Sequence, residues 1–78
     1  MLKKEKKLVI TFYTSAEAMA TEKACKEYGI IGKLISAPRE LTSDCGISYS
    51  LNVEDKKKIT KLLIDKNIEY EKIVEIFI

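Results

Sequence analysis

The chain has 78 residues, of which 46% are hydrophobic and 33% are charged, and its net charge is +2. These values are typical of one small folded domain, and no apolar stretch approaches the roughly 20 residues that cross a bilayer. Because the chain contains no histidine, His metal ligands and His-based acid–base or nucleophilic catalysis are excluded.

The N-terminus is basic, with lysines at positions 3, 4, 6 and 7. We expect residues 1–6 to form a frayed, solvated terminus of a single domain over residues 1–78, not an arm that binds nucleic acid. The apolar run at 8–10 is too short for a signal peptide. The sequence therefore predicts a cytoplasmic protein with two free thiols. Self-association into a homo-oligomer would help so small a core.

The first half of the chain predicts a strand and a helix. Residues 7–12 are apolar and β-branched, which is typical of a buried strand. Thr14 lies three residues before Glu17, a capping-box pattern that predicts a helix over 16–28, and Gly29 ends it. The residues predicted to form the buried stripe of this helix are Ala18, Ala20, Thr21, Ala24, Cys25 and Tyr28.

The second half predicts three strands and one more helix. In chain order they are a strand over 30–36 that ends before Pro38, a polar loop over 39–45, a strand over 46–53, a helix from 52 or 54 to about 66, and a strand over 70–78. Over 46–53, apolar residues alternate with Ser48, Ser50 and Asn52. This period of two predicts one core face and one wet face.

The order β-α-β-β-α-β predicts an α+β, ferredoxin-like two-layer sandwich, with an antiparallel sheet and both helices on one face. In this topology the turn after the first strand and the loop between the second and third strands lie at the same end of the sheet. We therefore expect residues 13–15 to approach Pro38-Arg39 and Cys45-Gly46. The fold alone implies no function.

Two cysteines are the main chemical candidates. Cys45 follows the polar loop, and Arg39 or the first helix N-terminus could lower its pKa, whereas Asp44 would raise it. From the residues alone, Cys45 fits either a reactive thiol or a small residue beneath a loop. Arg39 likewise fits either a supporting cation or a solvated charge. Cys25 lies on the predicted helix stripe and is predicted to be a core residue, too far from Cys45 for a disulfide.

One segment resembles a known family. The residues Pro38, Arg39, Ser43, Cys45 and Gly46 match in spacing the Pro-Arg…Ser…Cys-Gly segment of a family of small bacterial proteins described as selenium/sulfur carrier protein-like. The likeness extends to the end of the first strand, to residues 22–27 and to residues 67–73. It implies that Cys45 accepts sulfur or selenium as a persulfide or selenosulfide. Gly46 would permit close approach, and Arg39 would favour the anionic thiol.

Two hypotheses of different class follow. The first is a stoichiometric carrier, not an enzyme, which uses the Cys45 thiol, needs no cofactor or metal, and exchanges its atom with sulfur or selenium donor and acceptor proteins. The alternative is a non-catalytic binding or oligomerisation module, with a small-ligand or anion site near Ser15 and Arg39. We expect no membrane and no nucleic-acid partner, because the basic-aromatic signature of RNA-binding strands is missing. A metal chaperone is disfavoured, since residues 12–15 contain no cysteine.

Overall fold

The computed structural model describes residues 5–38, 41 and 46–77. Its elements are β1 (Lys6–Thr11), α1 (Ser15–Tyr28), β2 (Gly32–Ser36), β3 (Ile47–Asn52), a 3-10 turn (Val53–Asp55), α2 (Lys56–Asp65) and β4 (Lys72–Phe77). The predicted order of strands and helices is confirmed. Residues 1–4, the greater part of the predicted polar loop, and Ile78 lie outside the described residues.

The four strands form one antiparallel sheet in the order β2-β3-β1-β4. The two central strands, β1 and β3, therefore have neighbours on both sides, whereas β2 and β4 are the edges. Buried residues of both helices share one core cluster with residues of the central strands. Both helices consequently cover the same face of the sheet, and the predicted ferredoxin-like sandwich is confirmed.

The sheet has two faces of different composition, because successive strand residues point to opposite sides. The helix-covered face carries positions 8 and 10 of β1 and 49 and 51 of β3, all of them buried apolar residues. The helix-free face carries positions 7, 9 and 11 of β1, 33 and 35 of β2, 48, 50 and 52 of β3, and 72, 74 and 76 of β4. The core therefore lies between the helices and the first of these faces.

The boundaries of α1 follow from its local sequence. Thr14 is the N-cap, and its side chain and that of Glu17 form the predicted capping box. At the other end Gly29 has a φ of 73°, in the left-handed region where glycine carries no Cβ penalty. The buried residues of the helix are Ala18, Thr21, Ala24 and Cys25. Ala20 and Tyr28 of the predicted stripe are exposed, Tyr28 by 51%.

The second helix begins later than predicted, because Val53–Asp55 form a 3-10 turn and regular helix starts at Lys56. Its buried residues are Ile59, Leu62 and Leu63, which confirms the predicted apolar side. Asn67 follows with a φ of 54°, a left-handed residue of the kind that ends helices. No helix in the described part of the chain is long and apolar enough to traverse a bilayer.

One face assignment needs correction, and the structure settles another that the sequence leaves open. The prediction of a wet face on β3 is wrong, because Ser48 and Ser50 are 0% and 5% exposed. For the last strand the sequence predicts no inside face, because Val74, Ile76 and Ile78 alternate with Glu71 and Glu75 but Ile73 and Phe77 are apolar too. Ile73 packs against the core cluster, while Val74 and Ile76 lie on the helix-free face. The strand starts at Lys72 instead of residue 70 because the chain bends at Glu71.

Candidate functional site

The candidate site lies at one end of the sheet, where β1 runs into α1 and where β2 and β3 are joined. Thr11 at the end of β1 pairs with Ser48 of β3, and Ser36 at the end of β2 pairs with Ile47. The register therefore confirms that the β1–α1 turn and the β2–β3 connection meet at the same end. Arg39, Ser43 and Cys45 of the predicted site lie outside the described residues.

The base of the β2–β3 connection is held by backbone hydrogen bonds. The N–H of Ala37 donates to the carbonyl of Gly46 at 3.0 Å, which extends the ladder by one pair beyond β2 and β3. The N–H of Leu41 donates to the carbonyl of Pro38 at 2.9 Å, and Pro38 is half-buried. The two ends of the segment that carries the predicted thiol are thus anchored at the sheet.

Gly46 has a structural reason to be glycine. Its φ is 72°, and nothing lies within 4 Å of the position that a Cβ would take. The requirement is therefore conformational, since residues with a Cβ adopt this left-handed region at a cost. The open space beside Gly46 also leaves its exposed backbone approachable from solvent.

The N-terminus of α1, predicted to support the site, already holds an anionic group. The Glu17 carboxylate accepts from the N–H groups of Tyr13 at 3.0 Å and Thr14 at 3.1 Å. The Thr14 hydroxyl oxygen accepts from the N–H of Glu17 at 3.3 Å. Since this internal carboxylate offsets the positive end of the helix, the turn offers less stabilisation to a second anion. Ser15 is exposed and directly follows Thr14.

A groove of about 380 Å³ beside this turn has a mixed lining, consisting of Ala16, Glu17, Ala20, Lys66, Asn67, Ile68 and Glu69. Two of these side chains are carboxylates and one is an amine. A small anion near Ser15 would therefore face acidic as well as basic groups. No cluster of three or more His, Cys, Asp or Glu side chains within the described ranges could hold a metal ion.

Cys25 is a structural thiol. It is 0% exposed, as predicted. Burial raises its pKa, and the hydrogen bond with Tyr49 only partly opposes this effect. Burial and the same hydrogen bond raise the pKa of Tyr49. A neutral, enclosed thiol is a poor nucleophile, so Cys25 is not expected to react while the protein is folded.

Sequence reasoning missed a pair of hydroxyl groups at the same end of the sheet. Thr11 and Ser48, here called the hydroxyl pair, face each other across β1 and β3 on the helix-free face, and both are 0% exposed. Neither side-chain oxygen has a hydrogen-bond partner in the described structure. A buried polar group without a partner costs about 1–3 kcal/mol. The period-two pattern could have located Ser48, but it gave no signal that the face is buried.

The fold and the described residues define a class: a small ferredoxin-like α+β domain in which the β1–α1 turn and the β2–β3 connection lie at the same end of the sheet. Residues 7–75 match the family model described as "Putative Se/S carrier protein-like". Because this match covers nearly the whole chain, the protein belongs to that family, as its resemblance predicted. No curated protein and no solved structure matches the chain.

Proposed function

We propose that this protein is a stoichiometric carrier of sulfur or selenium, with the Cys45 thiol as the acceptor. The observation that carries the proposal is the family match over residues 7–75, which includes Cys45 and Gly46. The burial of Cys25 supports it, because the chain has two cysteines and the folded protein encloses this one. The reducing cytoplasm, where thiols stay free, is the compartment that suits such a carrier.

The transfer step needs only a thiolate and a donor persulfide. The Cys45 thiolate attacks the terminal sulfur of the donor persulfide, and a new S–S bond forms as the donor S–S bond breaks. The bonding electron pair leaves with the donor thiolate, so the exchange needs no external oxidant or reductant. Attack by an acceptor thiolate on the terminal sulfur reverses the step. A donor that carries selenium would load Cys45 as a selenosulfide in the same way.

A loading experiment tests this function. The folded wild type, Cys45→Ser and Cys25→Ser would be incubated with glutathione persulfide and measured by intact mass. We expect the wild type and Cys25→Ser to gain the mass of one sulfur atom, and Cys45→Ser to gain none. Transfer of that atom to a second thiol protein would complete the cycle. Equal loading of Cys45→Ser and the wild type would refute the carrier role.

The alternative is a binding or oligomerisation module with an anion site near Ser15 and Arg39. The occupied capping box at Thr14 and the carboxylates in the neighbouring groove weigh against an anion there. The same variants separate the two functions. A binding module would keep its ligand or its oligomeric state in Cys45→Ser and would show no uptake of sulfur in the wild type.

A further inference from the structure

The two edges of the sheet differ in how well they are protected against pairing with another chain. β2 has five residues, begins with Gly32 and carries the exposed amine of Lys33. Glycine weakens a strand, and lysine is a common protection of an edge. β4 contains neither glycine nor proline, and after its first residue, Lys72, it is apolar except for Glu75. β4 is therefore the edge with the higher β-propensity and the weaker protection.

The one charge within this apolar stretch is already offset. The Glu75 carboxylate lies 3.3 Å from the Lys6 amine and 3.6 Å from the Lys56 amine. A carboxylate that two amines hold against its own subunit repels an incoming strand less than a free carboxylate does. Glu75 is thus a weak barrier to pairing at this edge.

The outer side of β4 specifies the shape of what can cover it. Within the described part of the chain, β1 is the only strand that pairs with β4, so the outer side presents the backbone N–H and C=O groups of an edge strand. Such a row of alternating donors and acceptors is complementary to another extended strand. Its side chains are also partly open to solvent: Phe77 is 61% exposed, and Val74 and Ile76 are half-buried.

The sequence of β4 is complementary to itself. When two copies of a strand pair antiparallel about a two-fold axis, residues at equal distances from one central residue face each other. With Glu75 at the centre, Ile73 faces Phe77 of the second copy, and Val74 faces Ile76 of the second copy. Each of these apolar side chains then meets another apolar side chain.

Other registers fit less well. A shift of the centre by one residue in either direction sets Glu75 against an apolar side chain of the second copy. In the register centred on Glu75, the two carboxylates face each other, which alone is unfavourable. Each of them brings its two amines, from Lys6 and Lys56, so the two carboxylates meet amid four amines. This centre therefore supplies opposite charges to both carboxylates.

Pairing at this edge would also extend the core. Ile73 packs against the core cluster but is only half-buried, and Phe77 lies on the same face of the strand. Phe77 of the second copy would cover the open side of Ile73. A contact about 20 Å long, and as deep as one sheet and one helix layer, covers on the order of 400–500 Å² of each copy, less than the roughly 800 Å² of a standard interface. We therefore expect a reversible dimer.

We infer that this protein forms a symmetric homodimer in which the β4 strands of two copies pair antiparallel about Glu75. The two four-stranded sheets join into one sheet of eight strands, with the helices of both copies on one face. The inference does not rest on the proposed carrier function, because β4 contains no cysteine. The antiparallel pairing puts the candidate-site ends of the two copies at opposite ends of the shared sheet, so each copy keeps a separate site.

Sedimentation equilibrium from low micromolar to near-millimolar concentration tests the dimer. We expect the mass of the wild type to rise from that of one copy to that of two. Phe77→Lys sets a charge against Ile73 of the second copy and should raise the dissociation constant by about tenfold or more. Ile31→Lys is the matched control, because Ile31 is 78% exposed and lies directly before the other edge strand. It should leave the dissociation constant unchanged.

A wild type that stays monomeric over the whole range overturns the inference. A dimer that Ile31→Lys weakens and Phe77→Lys does not overturns it as well, since association would then use the β2 edge.

Cross-linking tests the register without relying on loss of association. In a Cys45→Ser background the remaining thiol, Cys25, is enclosed. Glu75→Cys then puts two thiols opposite each other at the dimer axis, within the Cα separation of about 7 Å that a disulfide spans. We expect mild oxidation to convert most of the Glu75→Cys protein into a covalent dimer, measured by intact mass, whereas Ile31→Cys stays largely monomeric. No covalent dimer from Glu75→Cys, or equal amounts from both variants, overturns the inference.

Discussion

The two faces of β1 bury their side chains in different ways. On the helix-covered face, Leu8 and Ile10 join an apolar cluster built with both helices. On the helix-free face, Val9 and Thr11 are equally buried, but their neighbours across β3 are serines. The comparison shows that burial alone does not mark a core. One face is built from apolar contacts, whereas the other encloses the Thr11 and Ser48 hydroxyls, which have no hydrogen-bond partner among the described residues.

The largest effect should come from truncating neighbouring residues of β1 that point to opposite faces. We expect Leu8→Ala to lower the free energy of unfolding by about 3–4 kcal/mol, because it leaves a cavity among well-packed side chains. Val9→Ala should cost about 1–2 kcal/mol, since it removes two carbons from a smaller apolar environment. Urea unfolding at neutral pH measures both values.

A loss per removed carbon that is as large for Val9→Ala as for Leu8→Ala would contradict this comparison. It would mean that the helix-free face packs as a second apolar core. Ile76→Ala, on the same face but at the edge strand, provides a control of lower burial.

The next effect compares two glycines. Gly32 lies against closely packed atoms, whereas the Cβ position of Gly46 is open space. A Cβ on Gly32 would lie 2.6 Å from Tyr49 Cε2 and 2.7 Å from the Ser50 carbonyl oxygen. Gly32→Ala should therefore destabilise the protein by about 2–3 kcal/mol through overpacking. Gly46→Ala meets nothing within 4 Å, so only its positive φ opposes it, at about 1 kcal/mol. Thermal or urea unfolding of the two variants should rank them in this order.

A reversed ranking would mean that both the Tyr49 ring and the Ser50 carbonyl move aside at little cost. Gly29→Ala is the matched control for Gly46→Ala, because its φ is 73° and its Cβ position is also open. These two variants should lose similar stability.

The smallest expected effect is a decrease of stability at alkaline pH, which arises from two core residues, Cys25 and Tyr49. Burial raises the pKa of both Cys25 and Tyr49 above their ordinary values of 9.0 and 10.0. The unfolded chain therefore releases these protons at lower pH than the folded protein does. The free energy of unfolding should be constant with respect to these groups below about pH 9 and fall as pH rises above it.

Urea unfolding between neutral pH and about pH 11 measures this decline. Tyr49→Phe keeps the ring but removes one ionisable group, so its decline above pH 10 should be shallower than that of the wild type. Identical slopes would show that Tyr49 ionises as readily in the folded protein as in the unfolded chain.

Much of the fold could be predicted from local sequence signals. The capping box at Thr14 and the glycine at position 29 locate the ends of α1 to within one residue, because both act through backbone geometry close by in the chain. The apolar side of α2, with Ile59, Leu62 and Leu63, could likewise be predicted from helical spacing. The order of the elements then allowed only a few topologies, and the observed one was among them.

The rest depended on contacts between distant segments. Tyr28 has helical spacing suitable for the core but is 51% exposed, and the Lys66 amine lies 5.6 Å from the centre of its ring. Ser48 is buried although it lies on the helix-free face of the sheet. The local alternation of residues does not show whether that face is exposed to solvent. The roles of Arg39, Ser43 and Cys45 stay predictions, because a polar loop has no periodic pattern from which side-chain positions could be inferred.

The enclosure of Cys25 also bears on oxidative damage. Proteins that sense peroxide commonly convert a sulfenic acid into an internal disulfide with a second, resolving cysteine. Cys25 is 0% exposed, so it cannot serve in that way while the fold is intact. A sulfenic acid on the other cysteine, Cys45, would then have to be reduced by an external thiol, or it would advance to the irreversible sulfinic and sulfonic acids.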